Sequence, residues 1–140
     1  MISRAWGRKM RTYNGLIIKE PFISMILNGK KTWEIRTRKT RIRGRILVVN
    51  KSYIRGSVNL VDCIGPLTKE EIMRNVMRHR ATMDFINKYA VGKRIYAWVL
   101  EDPIKLEKPI KIKKPRGAQI WVKINANAIK EHIKKLKLER

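Results

Sequence analysis

The sequence predicts an α+β fold, a β-barrel with helices at its ends. Three observations carry this. Apolar runs of strand length recur, such as Ile46-Leu47-Val48-Val49 and Ile95 to Leu100. Helix signals occur in only three places: early, in the middle and at the end. Gly and Pro separate the segments, and neither a repeat nor a low-complexity linker interrupts them. With 140 residues, 44% of them hydrophobic, the chain suits one domain with a sizeable core.

Residues 1–12 read as a basic tail containing Trp6, and no apolar run follows to make a secretory signal. Leu16-Ile17-Ile18 makes the first strand. Pro21 then opens a helix at its first position, where a missing N–H costs nothing. Phe22, Ile23, Met25, Ile26 and Leu27 fill its inner side, and Asn28-Gly29 closes it. Lys30 to Arg38 is the second strand, Thr40 to Gly44 a turn and Arg45 to Asn50 the third strand. Ile46 to Val49 are apolar at every position, which predicts cover on both faces. Gly56 and Pro66 bracket a fourth strand, Ser57 to Ile64. Thr68-Lys69-Glu70-Glu71 is a capping box that starts a helix through about His79, with Ile72, Val76 and Met77 at helical spacing. A second helix, Ala81 to Tyr89, has Met83, Phe85, Ile86 and Tyr89 as its apolar side. Arg94 to Leu100 is the next strand. Asp102-Pro103 turns the chain, Pro109 to Lys113 is an edge-like piece, and Gln119 to Ile124 is the last strand. Asn125 to Arg140 reads as an amphipathic helix docked through Ala128, Ile129, Ile133 and Leu136, with its lysines outward.

Charge narrows the function. Lys and Arg number 34 against 11 Asp and Glu, a net of +23. Such a chain attracts polyanions, and nucleic acid is the partner favoured over an anionic membrane surface. No apolar segment approaches the ~20 residues of a membrane span, so the expected location is the cytoplasm. Cys63 is alone, which rules out an internal disulfide and a Cys-based zinc site, and there are only two histidines, His79 and His132. Neither a metal nor a cofactor is expected.

Two basic clusters stand out. From Arg36 to Arg45, six of ten residues are cationic: Arg36, Arg38, Lys39, Arg41, Arg43 and Arg45. Guanidinium groups bind phosphates with two prongs and stack on bases. Lys108, Lys111, Lys113, Lys114 and Arg116 form the second cluster. Tyr53 sits between Lys51 and Arg55, an arrangement that would stack one base between two phosphate contacts. Trp33, Trp98 and Trp121 sit at positions that suit a core.

Gly29-Lys30-Lys31-Thr32-Trp33-Glu34-Ile35-Arg36 organises the rest. Strand alternation puts Trp33 and Ile35 on one face and Glu34 and Arg36 on the other, with Lys31 in the turn before. Three readings stay open for Lys31, Glu34 and Arg36: a structural ion pair, a ligand site in which Glu34 meets a base edge and the cations hold phosphate, or a catalytic set with Lys31 as base or nucleophile.

The spacing G-x-K-x-x-E-x-R resembles the signature of the ASCH domain family, a branch of the PUA-like superfamily. Glu20 to Leu27 is similar to the family's first helix, Arg43-Gly44-Arg45-Ile46 to its R-G-x-I strand, and Gly117-Ala118-Gln119-Ile120-Trp121 to its closing Gly-x-Gln-x-Trp segment. The resemblance implies a PUA-like mixed β-barrel with flanking helices over residues 13–124, with 1–12 as a tail and 125–140 as a packed helix. It also implies a closing strand near the second strand, so that both basic clusters rim one cleft. The expected function is binding of single-stranded RNA or a nucleotide by Lys31, Glu34, Arg36, Arg38, Lys39, Arg41, Arg43, Tyr53, Lys113, Lys114 and Arg116. The alternative is a metal-independent enzyme using Lys31 and Glu34, since some small members of the superfamily are amidohydrolases on acetylated cytidine and others ribonucleases. The resemblance places the amidohydrolase lysine at Lys31, but that family's threonine falls where Glu34 stands. Its further glutamate would be Glu70 or Glu71. Whether the chain is catalytic, RNA or DNA as the ligand, and the oligomeric state are left open by the sequence.

Overall fold

The computed structural model describes residues 11–118 and 120–138, so Trp6, most of the basic tail and Gln119 lie outside the described residues. In chain order the elements are β1 (Thr12–Ile17), α1 (Phe22–Leu27), β2 (Trp33–Arg36), β3 (Gly44–Asn50), β4 (Tyr53–Ile64), α2 (Lys69–Arg74), α3 (Val76–His79), α4 (Met83–Ala90), β5 (Tyr96–Lys111), β6 (Trp121–Asn125) and a 3-10 helix (Ala126–His132). The strands form one mixed sheet in the order β2-β5-β4-β3-β1-β6, in which β1 and β3 run parallel and the other neighbours antiparallel.

The α+β class is right, but the sheet does not close into a barrel. No ladder joins β2 to β6, the two edges. Side chains span the gap instead. Arg36 donates to the Ile17 carbonyl at 2.8 Å, and Trp98 stacks on Trp121 with ring centroids 5.6 Å apart.

Alternation along β3 divides the core. Ile46 and Val48 enter a cluster with Ile23, Ile26 and Trp98, on the face that α1 covers. Leu47 and Val49 enter the opposite cluster with Ile129, Leu136 and Leu138. All four β3 residues are buried, as their unbroken apolar run predicts.

Several elements differ from the sequence reading. Gly56 lies inside β4, not at its start, and a Cβ there would collide with the Ile104 carbonyl and the Leu27 side chain. Asp102-Pro103 is a bulge rather than a turn. Asn59 pairs with Glu101 and Ser57 with Ile104, so Val58 faces two residues, and Asp102 takes a left-handed φ of 51°. The strand therefore runs on to Lys111. Beyond Leu100 its outer edge is not covered by β2, which is where Pro103 and Pro109 can sit without breaking a ladder. The predicted second strand shortens to four residues. Pro21 caps α1 rather than starting it.

The helical segment after Pro66 forms by the capping box: Thr68 Oγ1 accepts from Glu71 N–H and the Glu71 carboxylate accepts from Thr68 N–H. The expected single helix breaks at Asn75. Only Ile72 of its apolar series is buried, while Met73, Val76 and Met77 are exposed, as are Phe85 and Tyr89 on α4. Ile72, Ala81 and Ile86 make its small core, with Leu67, Met83 and Ile95 packed against them.

Beyond β6 the amphipathic segment packs on the sheet, but as a 3-10 helix followed by turns. Ile129 and Leu136 are fully buried, Ile133 partly, and Ala128 is exposed. Buried Ser57 donates its hydroxyl to the Leu136 carbonyl at 2.7 Å, which ties this segment to β4. Leu136→Ala should cost about 2–5 kcal/mol of stability through the cavity it leaves, read as a lower denaturation midpoint with an unchanged slope.

Candidate nucleic-acid interface

Both faces of β2 are covered. Trp33 and Ile35 pack with Ala97 and Val99 under the helical segment. Glu34 and Arg36 point to the other face, into the curl of the sheet against Trp98. Glu34 is 6% exposed and Lys31 3%, so the motif's charges are interior rather than displayed on a surface.

A buried charge needs partners, and these residues supply them. Glu34 lies 2.8 Å from the Arg36 guanidinium and 3.5 Å from Lys31 Nζ. Lys31 also donates to the carbonyls of Trp33 at 2.7 Å and His79 at 2.5 Å, and its ammonium sits 4.7 Å from the Phe22 ring centroid. Burial lowers the Lys31 pKa from its ordinary value; Glu34 opposes the shift and Arg36 adds to it. Arg36, the least buried of the three, lies over Trp98 at 5.6 Å and reaches the Ile17 carbonyl. Two cations share one carboxylate, so the cluster carries one net positive charge whose open side is Arg36.

His79 belongs to this network, and the sequence reading missed it by placing it in basic helical surroundings. Its ring is buried. Nε2 lies 2.7 Å from the Ile72 carbonyl and Nδ1 accepts from Ala81 N–H at 3.1 Å. These partners select the neutral tautomer with the proton on Nε2. Nothing in the spacing around His79 announces a partner 48 residues away. Phe22, directly after Pro21, was a readable signal for the lid over Lys31.

The arginine loop between β2 and β3 crosses the same sheet face. Trp98 Nε1 donates to the Arg38 carbonyl at 2.9 Å, Lys39 lies 6.0 Å from the Tyr96 ring, and Ile42 packs on the core below. Arg43 donates to the carbonyls of Thr40 and Ile42 and approaches Asp62 at 4.0 Å. Arg38, Lys39, Arg41 and Arg43 are exposed. Arg45 turns away to Asp102 at 2.6 Å. The closing segment meets this region through Ile120 and Trp121, by packing and not by strand pairing. Lys113 and Arg116 are exposed and Lys114 half-buried in the irregular stretch before it. Tyr53 stands apart, exposed at the start of β4 and across from Lys111. Glu70 and Glu71 sit on α2; Glu71 is occupied by its cap. A cavity of about 220 Å³ opens between α1 and the β5 bulge, walled by Ile26, Gly29, Lys31, Val58, Leu100 and Asp102. Among the described residues no cluster of His, Cys, Asp and Glu could hold a metal ion, and no helix is long and apolar enough to cross a membrane.

The ASCH domain family model matches residues 16–110, from β1 nearly to the end of β5. The chain belongs to the ASCH domain family. That family is linked to RNA binding. The fold of this ASCH domain is shared with crystal structures of ASCH proteins from Zymomonas mobilis. A tyrosine-to-phenylalanine variant matches with a TM-score of 0.70 at 18% identity, covering 89% of this chain and 98% of that one. A serine-to-alanine variant gives 0.68 at 18%, covering 86% and 94%. A further structure gives 0.58 at 20%, covering 84% and 76%. Identities this low speak for the fold. Among curated proteins none matches the chain.

Two predictions follow from the buried cluster. Glu34→Gln leaves Lys31 and Arg36 without their counter-charge and should cost about 3–5 kcal/mol, measured by chemical denaturation. For His79, burial lowers the pKa below its ordinary 6.5, and the Lys31 charge adds to the shift. Just below that pH the unfolded chain binds the proton and the folded one does not. The His79 contribution is therefore complete above pH 6.5 and declines as the pH falls toward the lowered folded value. Melting temperature against pH should show this decline, and His79→Gln should flatten it.

Proposed function

We propose that this ASCH domain binds single-stranded RNA across the loop from Arg36 to Arg43. The observation that supports it is a row of exposed cations on a backbone already fixed by Trp98, Thr40 and Ile42, next to an interior cluster with one surplus positive charge. Such a loop loses little freedom on binding, and each guanidinium can grip a phosphate with two prongs. In this reading Arg38, Lys39, Arg41 and Arg43 hold the backbone and Arg36 meets the phosphate nearest the cleft. Lys31 and Glu34 form the charged floor that fixes Arg36. Lys113, Lys114 and Arg116 line the second rim, and Tyr53 offers an outlying stacking surface.

The enzymatic reading has its own support: a lysine whose pKa burial lowers, with a carboxylate 3.5 Å away. It would make the cluster an acid-base pair needing no metal. The ammonium's bonds to two carbonyls favour the structural role.

Labelled single-stranded RNA incubated with the protein in chelator tests both. Binding should weaken steeply with salt, log affinity falling by about 0.7 per phosphate neutralised for each tenfold rise in salt. Arg38→Gln combined with Arg41→Gln should reduce that slope by about 1.4 while leaving melting unchanged. Affinity that scarcely changes with salt would sink the binding reading. Cleavage in chelator that Glu34→Gln abolishes, in protein still folded, would establish the enzymatic one.

A further inference from the structure

Arginine and lysine are segregated in this chain. Residues 1–94 hold 13 Arg and 9 Lys, whereas residues 95–140 hold 2 Arg and 10 Lys. The fold turns that bias into geography. The arginine loop lies on the α1 face of the sheet, over Trp98. The segment after β6 covers the opposite face through Ile129, Leu136 and Leu138, and turns Lys130, Lys134 and Lys135 to solvent. Between the two runs the outer part of β5. There Ile104, Leu106, Ile110 and Ile112 pack into the second core, so the alternating Lys105, Lys111 and Lys113 project to the other side, and all three are exposed. β2 leaves this edge uncovered beyond Leu100.

We infer that this lysine pole is a second, sequence-indifferent contact for the same nucleic acid, reached by a strand that leaves the arginine loop and passes round the open edge of β5. The inference rests on the RNA reading above. Its physical content is the difference between the two cations. A guanidinium fork fixes orientation, while a compact ammonium on a flexible stem neutralises whatever phosphate comes near. Lys137 is not part of the pole, because it pairs with Asp102 at 3.0 Å. Lys130, Lys134 and Lys135 make no ion pair among the described residues.

The test uses oligouridines of about six and about twenty nucleotides, within and beyond the usual reach of one single-strand site. Affinity alone does not discriminate, since a longer strand offers more registers; the salt slope does. The long strand should show a steeper slope than the short one. The variant K130Q/K134Q/K135Q should lose about 2 units of slope on the long strand, at roughly 0.7 per phosphate, and none on the short one. Its melting curve reports whether the fold is intact. Equal slopes for both lengths in the wild type, or equal losses at both lengths in the variant, overturn the second contact and leave the first standing. Binding of neither length overturns both.

Discussion

Everything in this fold is hung on the Arg36 guanidinium. It pairs with Glu34 in its own strand, lies over Trp98 in the next, and donates to Ile17 across the gap where a barrel would have closed. A hydrogen-bonded ladder between β2 and β6 would have made the same connection with backbone alone. By using a side chain, the domain leaves the two edges unladdered, with Trp98 stacked on Trp121 beneath and the arginine loop alongside. Lys31 secures the other side of Glu34, and Lys31 is held in turn by a carbonyl from the helical segment. The motif thus joins β1, β2 and the end of α3 through one buried carboxylate.

That arrangement explains why binding and stability are hard to separate here. Removing Glu34 leaves two interior cations uncompensated, while Arg38 and Arg41 of the loop stand on the surface and can be removed with little effect on the fold. The division is between a motif that shapes the site and a neighbouring loop free to touch a ligand.

Much of this was legible in the sequence, for reasons that can be named. The run Ile46 to Val49 announced a strand covered on both faces, and Thr68 with Glu71 announced the start of a helix, because each signal is local. The G-x-K-x-x-E-x-R spacing located the charged cluster. What it hid was the direction of burial: period-two alternation divides β2 into two faces but does not say that a curled sheet encloses both. Asp102-Pro103 looked like a turn because a left-handed residue before proline serves a bulge equally well. Val76, Met77, Phe85 and Tyr89 looked like core because helical spacing predicts a stripe, and only tertiary packing decides whether anything covers it. The link to His79 was illegible, since its carbonyl meets a lysine 48 residues away in the chain.

The uncovered stripe has a consequence for how the protein behaves as a colloid. Among the described residues, six of the seven large exposed apolar side chains, Met73, Val76, Met77, Phe85, Tyr89 and Val91, fall in and just after the helical segment. At low ionic strength the net charge of +23 holds molecules apart, so the stripe stays unmatched. Salt shortens the range of that repulsion from about 10 Å at 0.1 M to about 3 Å at 1 M and leaves apolar attraction intact. The concentrated salt that strips polyanions from such a protein is therefore also the condition under which its own molecules begin to stick.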